Sequence, residues 1–233
     1  MQSDLRSLAG GLSHKIARER FSRRTVAEVY PSEYGDNWRD RREKACILEC
    51  VSRIPAGAKV LDLPCGTGRM TKLLVERGYR VTGADASQAM LSRAIENYAA
   101  YRNEQNSNAP PVQFGVQDVL ATNFATDEFD GICCIRLFHH FAEAELRRRA
   151  LRELSRICRG PIIVTFLNSF ALDRIAYWIK AQLKHRPQLH QLPIAYRTFA
   201  ADVAAAGLRI DKQIAAHWGI SSRWFLVLSR ATK

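Results

Sequence analysis

The sequence predicts an α/β fold, in which strands alternate with helices along the chain. Residues 58–71 supply the first observation, because an apolar strand, the turn Gly66-Thr67-Gly68 and a segment with helical apolar spacing follow one another. The second is the apolar run 129–135, whose continuity suits a central strand buried on both faces. A strand, a glycine turn and a helix in this order form the nucleotide-binding unit of α/β folds, so the pattern also indicates a ligand.

The remaining segments extend this alternation, with turn residues between them. Strands are predicted at residues 80–85, 112–116, 162–166, 208–215 and 224–228, and helices at 38–54, 70–78, 87–100, 143–158 and 196–207. The last two strands are expected to form an antiparallel pair. Residues 1–30 predict one or two amphipathic helices, and the sequence contains neither internal repeats nor low-complexity segments.

The composition is that of a globular protein. The chain has 233 residues, of which 47% are hydrophobic and 25% charged, and this length fits one domain with its own core. No apolar run approaches the ~20 residues that span a bilayer. Residues 1–21 lack the continuous apolar core of a secretory signal. We therefore expect a cytoplasmic protein, with the inner face of the membrane as an alternative, peripheral location.

The chain is strongly basic, with a formal net charge of +12 and a pI of about 9.8. After residue 160 there are ten Lys or Arg residues and three Asp or Glu residues. Such an excess favours contact with nucleic acid, anionic lipid or an acidic substrate. A basic surface without a partner is equally compatible with it.

The six cysteines predict thiols rather than a metal site or a disulfide framework. They show no paired C-x-x-C spacing, and Cys133 and Cys134 stand in an apolar run that favours burial. Free thiols are typical of a reducing cytoplasm.

Asp62, at the end of the first strand, indicates the kind of ligand. A carboxylate beside the glycine turn would repel the pyrophosphate of a dinucleotide, but it attracts the ammonium and sulfonium groups of S-adenosylmethionine. The dinucleotide fingerprint also requires a third small residue where this chain has Thr71. Both residues favour S-adenosylmethionine.

Asp85 strengthens this interpretation. It follows Asp62 by 23 positions and ends the next predicted strand. An acidic residue about 20 residues beyond a glycine turn can accept both hydroxyl groups of a ribose. A solvated loop aspartate is the alternative.

With the motifs VLDLPCGTG and GADASQAML, the chain resembles the class I S-adenosylmethionine-dependent methyltransferases, in particular the bacterial small-molecule, type 11-like group. The motifs cover about residues 45–166. The chain departs from the family at Pro64, where a glycine is usual, and proline has no backbone N–H for the cofactor. The resemblance implies a Rossmann-like fold: a seven-stranded, mainly parallel sheet with helices on both faces and an antiparallel last strand.

The resemblance also implies a set of cofactor-binding residues. Asp62 and the glycine turn would hold the methionyl part, Asp85 the ribose, and Asp118 and Val119 the adenine. The implied residues are Asp62, Cys65, Gly66, Thr67, Gly68, Asp85, Ala86, Met90, Asp118, Val119 and Arg136.

Two histidines are the candidate catalytic residues. His139 and His140 lie in a stretch that resembles the family's fourth motif, and an imidazole can take a proton at neutral pH. A general base of this kind contributes ~10²–10⁴-fold to rate. The alternatives are a histidine that caps a helix or packs in the core, and catalysis by alignment of the reactants alone.

Two further segments are expected to shape an acceptor pocket. Residues 1–45 are predicted to form an N-terminal arm or lid, and residues 46–233 the cofactor-binding domain with a helical insert at about 169–193. Tyr34, Trp38 and Trp178 are the candidate substrate residues. Packing of these aromatic side chains on the core is the alternative.

The expected activity is transfer of a methyl group to an oxygen, nitrogen or carbon atom of a small or amphipathic acceptor. Basic and aromatic groups around the insert suit an anionic or lipid-like acceptor and an anionic membrane surface. Nucleic acid is not favoured, because the chain lacks an Asn-Pro-Pro-Tyr-like motif. A non-catalytic adaptor with this fold and a nucleotide-dependent oxidoreductase are the alternatives, and the acceptor atom and oligomeric state stay open.

Overall fold

The computed structural model describes residues 13–14, 19, 38–105, 108–170, 192–217 and 221–231. Their strands form one seven-stranded sheet. These strands are β1 (Lys59–Asp62), β2 (Arg80–Asp85), β3 (Gln113–Val116), β4 (Gly131–Cys134), β5 (Ile162–Leu167), β6 (Leu208–Ala215) and β7 (Arg223–Arg230). The helices are α1 (Trp38–Val51), α2 (Arg69–Glu76), α3 (Gln88–Glu104), α4 (Ala144–Ile157) and α5 (Tyr196–Ala205), with a short 3₁₀ helix at Phe138–His140.

The strand order is β3-β2-β1-β4-β5-β7-β6, so β1, the first strand along the chain, lies next to the central strand β4. β1 pairs in parallel with both β2 and β4, and β5 continues the parallel part beside β4. β7 inserts between β5 and β6 and runs antiparallel to both. The order reverses between β1 and β4, and in α/β sheets ligands bind beyond the carboxyl ends of the strands at such a point.

The two faces of the sheet carry separate cores, because side chains alternate along each strand. Leu61, Ile132 and Leu226 pack on the face that α4 and α5 cover. Val60 and Val227 pack on the other face, with α1, α2 and α3. The sheet is thus covered by helices on both faces, as the resemblance implied, and the seven-stranded α/β fold is confirmed.

Most predicted elements differ from the observed ones only at their ends. β2 and β6 match the prediction residue for residue, whereas α3 continues to Glu104, beyond the predicted end at residue 100. Arg102 of this last turn donates from Nε to the carbonyl of Ala109 at 3.1 Å, which ties the helix end to the following loop. Ser87 is the N-cap of α3, as its hydroxyl accepts from the Met90 amide at 3.2 Å.

Some predictions concern residues that the structure leaves undescribed. Tyr34, Trp178 and residues 171–191 of the insert lie outside the described part, as does the side chain of Trp38. α1 runs without a break across the predicted boundary between arm and domain at residue 45. That boundary stays a prediction.

Several arginines of the basic helix α4 are engaged within the protein. Arg147 is buried and donates from Nε to Asp202 at 2.7 Å, and Arg148 donates to the other oxygen of Asp202 at 2.8 Å. Arg156 pairs with Glu153 of the same helix. Arg147 and Arg148 therefore fasten α4 to α5. Among the described residues, no helix is long and apolar enough to cross a membrane.

All six cysteines are described, and each is buried with a free thiol. Burial raises the pKa of the Cys50 thiol to about 12, so this thiol stays protonated at neutral pH.

Candidate functional site

A cavity of about 370 Å³ opens beyond the carboxyl ends of β1, β2 and β4. Its volume is within the range of ~300–1,000 Å³ that is typical of small-molecule sites. Of the eleven cofactor residues that the resemblance implied, all except Asp62 are among the described residues that line it. These residues are Cys65, Gly66, Thr67, Gly68, Asp85, Ala86, Met90, Asp118, Val119 and Arg136.

The carboxylate of Asp85 holds the glycine turn against the end of β2. Its Oδ2 accepts from the Gly66 amide and its Oδ1 from the Ser87 amide, both at 2.9 Å. Burial raises the pKa of Asp85, and these backbone donors offset part of the rise. Each carboxylate oxygen can accept more than one hydrogen bond. Asp85 can therefore organise the turn and still accept hydroxyl groups from a ligand.

The two glycines of the turn have different roles. Both have positive φ, +55° at Gly66 and +85° at Gly68, which disfavours other residues. A Cβ on Gly66 would meet no atom of the described residues within 4 Å, whereas a Cβ on Gly68 would lie 3.3 Å from the Cβ of Ala94. Gly66 therefore keeps the cavity wall open, and Gly68 lets α3 approach the turn.

Asp62 lies at the end of β1 with no exposed surface, and it is not among the cavity-lining residues. Its Oδ2 accepts from the Thr71 hydroxyl at 2.7 Å, while its Oδ1 accepts no hydrogen bond from the described residues. Burial raises the pKa of Asp62 to about 7; the Thr71 hydrogen bond offsets part of the rise, and the nearby Asp85 adds to it. The cavity thus has a buried acidic group with an unsatisfied oxygen next to its wall.

Asp118 and Val119 line the part of the cavity beyond β3. The Leu120 amide donates to Asp118 Oδ1 at 2.9 Å, and His14 Nε2 lies 3.3 Å from Asp118 Oδ2. The ring of His14 also packs edge-on against Phe141 at 5.8 Å between centroids. Sequence analysis missed His14 because nothing in its local pattern distinguishes it from other polar residues of the N-terminal region.

The structure separates the two candidate catalytic histidines. His140 lines the cavity, whereas His139 is 6% exposed and is absent from the described lining. The two rings lie 4.1 Å apart between centroids, and the carbonyl of His139 accepts from the Leu192 amide at 2.8 Å. Only His140 is therefore placed to meet a ligand in this cavity.

Arg136 lines the cavity beside Glu43 of α1. It donates from Nε to Glu43 Oε1 at 3.0 Å and from an Nη atom to Oε2 at 2.5 Å, and Arg223 also donates to Oε2. Burial favours a raised pKa for Glu43, but Arg223 and Arg136 together outweigh it and lower the pKa. Neither Glu43 nor Arg223 was predicted, because their partners are 93 and 180 positions away in sequence.

No group of three or more His, Cys, Asp or Glu side chains in the described ranges has the arrangement of a metal site.

Comparison with known proteins agrees with this geometry. Residues 60–160 match the family described as a methyltransferase domain. The 2-phytyl-1,4-naphtoquinone methyltransferase of Thermosynechococcus vestitus is 38% identical over 82 residues, which are 34% of this chain and 33% of that protein. The phosphatidylethanolamine N-methyltransferase of Cereibacter sphaeroides is 31% identical over 118 residues, 51% of this chain and 54% of that protein. Four curated relatives are matched over 15% to 54% of their own length.

A solved structure shares the fold over almost the whole chain. Magnesium protoporphyrin IX methyltransferase (ChlM) from Synechocystis PCC 6803, with bound S-adenosylhomocysteine, superposes with a TM-score of 0.73 at 16% identity. The match covers 94% of this chain and all of that chain. The same protein was also solved with S-adenosylmethionine.

The fold is that of the class I S-adenosylmethionine-dependent methyltransferases. Residues 60–160 are the part of this chain that matches the methyltransferase-domain family, and the superposed structure was solved with S-adenosylhomocysteine and with S-adenosylmethionine. The open side of Gly66 and the unsatisfied oxygen of Asp62 fit a cofactor with a cationic methionyl part.

Proposed function

We propose that the chain transfers a methyl group from S-adenosylmethionine to an oxygen, nitrogen or carbon atom of a small or amphipathic, anionic acceptor. The observation that carries this proposal is the convergence of Gly66, Asp85 and Asp118 on one cavity. These residues come from three separate strand ends, and each had been assigned to a different part of one cofactor. Their meeting at the reversal of strand order supports a single ligand that spans all three.

The residues of the cavity have complementary tasks toward this cofactor. When bound, S-adenosylmethionine supplies a methyl group on a positively charged sulfonium. Asp85 would accept the ribose hydroxyls with the lone pairs left by the Gly66 and Ser87 amides. Asp118 and Val119 would bind the adenine. Asp118 also contacts His14, so the N-terminal region would help to enclose this end of the ligand.

Asp62 would interact with the methionyl part of the cofactor from its buried position at the end of β1. Its buried carboxyl has an oxygen without a partner among the described residues. An ammonium group near it would favour the ionised form, since an opposite charge stabilises a buried carboxylate. The residue would thereby select a cationic methionyl part over a pyrophosphate.

His140 would take a proton from the acceptor. Its position in the cavity lining supports this role, whereas His139 is buried and does not line the cavity. Alignment of the two reactants would supply much of the remaining rate. Pro64, which also lines the cavity, offers no N–H, so the neighbouring amides must serve instead.

The acceptor class is supported by the types of residue in the cavity lining and by the names of relatives. The lining includes Arg69 and Arg136, and guanidinium groups match the geometry of carboxylate and phosphate groups. Two relatives are named for a quinone-type and a phospholipid acceptor. A screen of lipid-like and quinone acceptors for release of S-adenosylhomocysteine would identify the class.

A non-catalytic adaptor with the same fold is the second candidate, favoured by the missing N–H at Pro64. Such a protein would bind S-adenosylhomocysteine and show no turnover with any acceptor. A nucleotide-dependent oxidoreductase is disfavoured, because the Thr71 hydroxyl is committed to Asp62 at the position where dinucleotide-binding turns need a small residue.

Calorimetric titration of Asp85→Ala with S-adenosylhomocysteine tests the proposal. The change removes two charge-assisted hydrogen bonds worth ~1.5–3 kcal/mol each, so affinity should fall at least about tenfold. Asp211→Ala is the matched control, because Asp211 lies on β6 and pairs with Arg209 at the surface. Unchanged affinity in Asp85→Ala, or binding of a nicotinamide dinucleotide by the unaltered protein, would contradict the proposal.

Once the screen has found an acceptor, the variant His140→Gln tests whether His140 acts as a general base. We expect kcat to fall by ~10²–10⁴-fold while the affinity for S-adenosylhomocysteine stays the same. Circular dichroism would show whether the variant keeps its fold. A kcat within twofold of the original would leave alignment as the main source of rate.

A further inference from the structure

The backbone of Arg136 has a left-handed conformation in the wall of the cavity. Its φ is +64°, and it stands two positions after the last residue of β4. This conformation is uncommon for residues other than glycine, asparagine and aspartate, and it is costly for a bulky side chain. Such a residue persists only where its surroundings hold it, and such residues cluster at functional sites. Because Arg136 lines the cavity, the strained turn lies where the proposed chemistry takes place.

Contacts from two other elements hold Arg136 in this conformation. The Arg136 amide donates to Thr165 Oγ1 of β5 at 2.7 Å, and Thr165 is 2% exposed. The guanidinium donates to both carboxylate oxygens of Glu43 in α1. A buried N–H that loses its acceptor is destabilising. The left-handed backbone therefore depends on the hydroxyl of Thr165.

The turn at Arg136 sets the direction in which the chain enters the 3₁₀ helix Phe138–His140. Leu137, the next residue, is the N-cap of this helix and already has a right-handed conformation. The His140 amide donates to the Leu137 carbonyl at 2.9 Å. A 3₁₀ helix has three residues per turn, so successive side chains point about 120° apart. Rotation of this short helix would therefore move the His140 ring away from the cavity.

The other two residues of the 3₁₀ helix are held by the protein core. Phe138 has no exposed surface and packs edge-on against Phe199, with 5.1 Å between the ring centroids. The carbonyl of His139 accepts from the Leu192 amide at 2.8 Å. These contacts fasten the helix itself, whereas the turn at Arg136 fixes its start.

We propose that Thr165 is a positioning residue for the methyl-transfer reaction: through the Arg136 amide, its hydroxyl holds the left-handed turn that places His140 in the cavity. This inference rests on the proposed function, in which His140 takes a proton from the acceptor. Thr165 is not among the described residues that line the cavity, so it acts through Arg136 and not on the reactants. A hydroxyl that only stabilises the fold is the rival interpretation.

Nuclear magnetic resonance of the histidine side chains tests this role without an acceptor. The His140 signal is the one missing from the variant His140→Gln. Thr165→Val keeps the shape of the side chain but offers no oxygen to the Arg136 amide, so it should shift the His140 signal. Thr165→Ser should restore it. Tyr79→Phe is the matched control, because it removes a buried hydroxyl that donates to the Val51 carbonyl at 2.9 Å, next to the amino end of β2.

The control should leave the His140 signal in place. Circular dichroism shows whether each variant is folded, and Thr165→Ala supplies the same test if Thr165→Val is not. An unchanged His140 signal in a folded variant without the Thr165 hydroxyl would overturn the proposal. Equal shifts in Thr165→Val and Tyr79→Phe would do the same, because they would reflect a general loss of packing.

Kinetic measurements supply a second readout once an acceptor is known. Displacement of a reacting group by about 1 Å can cost ~10²-fold in rate, so Thr165→Val should lower kcat by ~10–10²-fold while the KM for S-adenosylmethionine stays within about twofold. Thr165→Ser should recover most of the loss. In the His140→Gln variant, Thr165→Val should have no further effect on kcat, because changes that act through one group are not additive. Equal losses of kcat with and without His140 would overturn the proposal.

This inference and the proposed function fail in different ways. An unchanged kcat in His140→Gln would remove the general base from the proposed function, whereas the His140 signal would still report whether Thr165 holds the turn. An unchanged signal in folded Thr165→Val would overturn the positioning role alone and leave methyl transfer as proposed.

Discussion

The glycine-turn side of the cavity is fixed by backbone amides that donate to one carboxylate, whereas its α1 side is fixed by ion pairs between side chains. Gly66 and Asp85 are 19 positions apart and join adjacent strand ends. Glu43 and Arg223 are 180 positions apart and join a helix to the strand β7. The first side therefore depends on local backbone geometry, and the second depends on the completed tertiary fold.

This difference has consequences for solution conditions. Backbone hydrogen bonds to a buried carboxylate are little affected by salt, whereas ion pairs near solvent weaken as the ionic strength rises. The side chain of Arg223 is 29% exposed, so part of the α1 side is open to screening. Salt should therefore loosen the α1 side before it affects the glycine turn.

The largest effect is expected from Gly68→Val, which acts on the turn side. A branched side chain at φ +85° is strained, and its Cβ would lie 3.3 Å from Ala94 Cβ, so α3 must move. Overpacking of this kind typically costs ~1–3 kcal/mol, to which the backbone strain adds. We expect lower stability in urea unfolding and loss of S-adenosylhomocysteine binding in calorimetry.

Gly66→Val is the matched control for this change. It has the same side chain and a positive φ of +55°, but within the described part of the chain its Cβ meets no atom closer than 4 Å. Its loss of stability should be smaller, while cofactor binding should still be abolished because the side chain enters the open space of the cavity. Equal destabilisation by the two substitutions would show that α3 packing does not distinguish the two glycines.

The same contrast explains what the sequence could predict. The strand, turn and helix around Gly66 follow from short-range patterns, and Asp85 follows from a fixed spacing. The family resemblance that these motifs carry implied ten of the residues that line the cavity. Glu43, Arg223 and His14 carry no such signal, because a long-range pairing of charges leaves no periodicity in either partner's own segment. Distinguishing His140 from His139 likewise required the geometry of the 3₁₀ helix.

Asp62 shows a second limit of prediction from the sequence. Its residue type and position were predicted to favour a cationic ligand, but not its complete burial or its hydrogen bond from Thr71. Thr71 had been interpreted only as a departure from the dinucleotide pattern. In the structure it is the partner that keeps a buried carboxyl partly satisfied, which is a positive reason for threonine at that position.

The smaller, final prediction uses pH to separate the two sides. Burial raises the pKa of Asp62 to about 7 from its ordinary value of 3.8, so the folded chain holds this proton where the unfolded chain has lost it. Stability should therefore fall as the pH rises from about 4 to 7 and level off above, with a total on the order of 4 kcal/mol. The pKa of Glu43 is lowered, so its contribution is present above its ordinary value of 4.5 and is lost only as the pH falls through its lowered folded value. Between pH 5 and 8 the turn side titrates and the α1 side does not.

Urea unfolding of Asp62→Asn and of the unaltered protein from pH 5 to pH 8 measures this difference. Asparagine cannot ionise, so between pH 5 and pH 8 the free energy of unfolding should fall by about 2–3 kcal/mol less in the variant than in the unaltered protein. Asp211→Asn is the control, since Asp211 pairs with Arg209 at the surface and should leave the slope unchanged. Saturation with S-adenosylhomocysteine should flatten the decline in the unaltered protein, because its ammonium favours the ionised Asp62. Parallel pH profiles for Asp62→Asn and the unaltered protein would place the titrating group elsewhere and remove Asp62 from the proposed recognition of the cationic methionyl part.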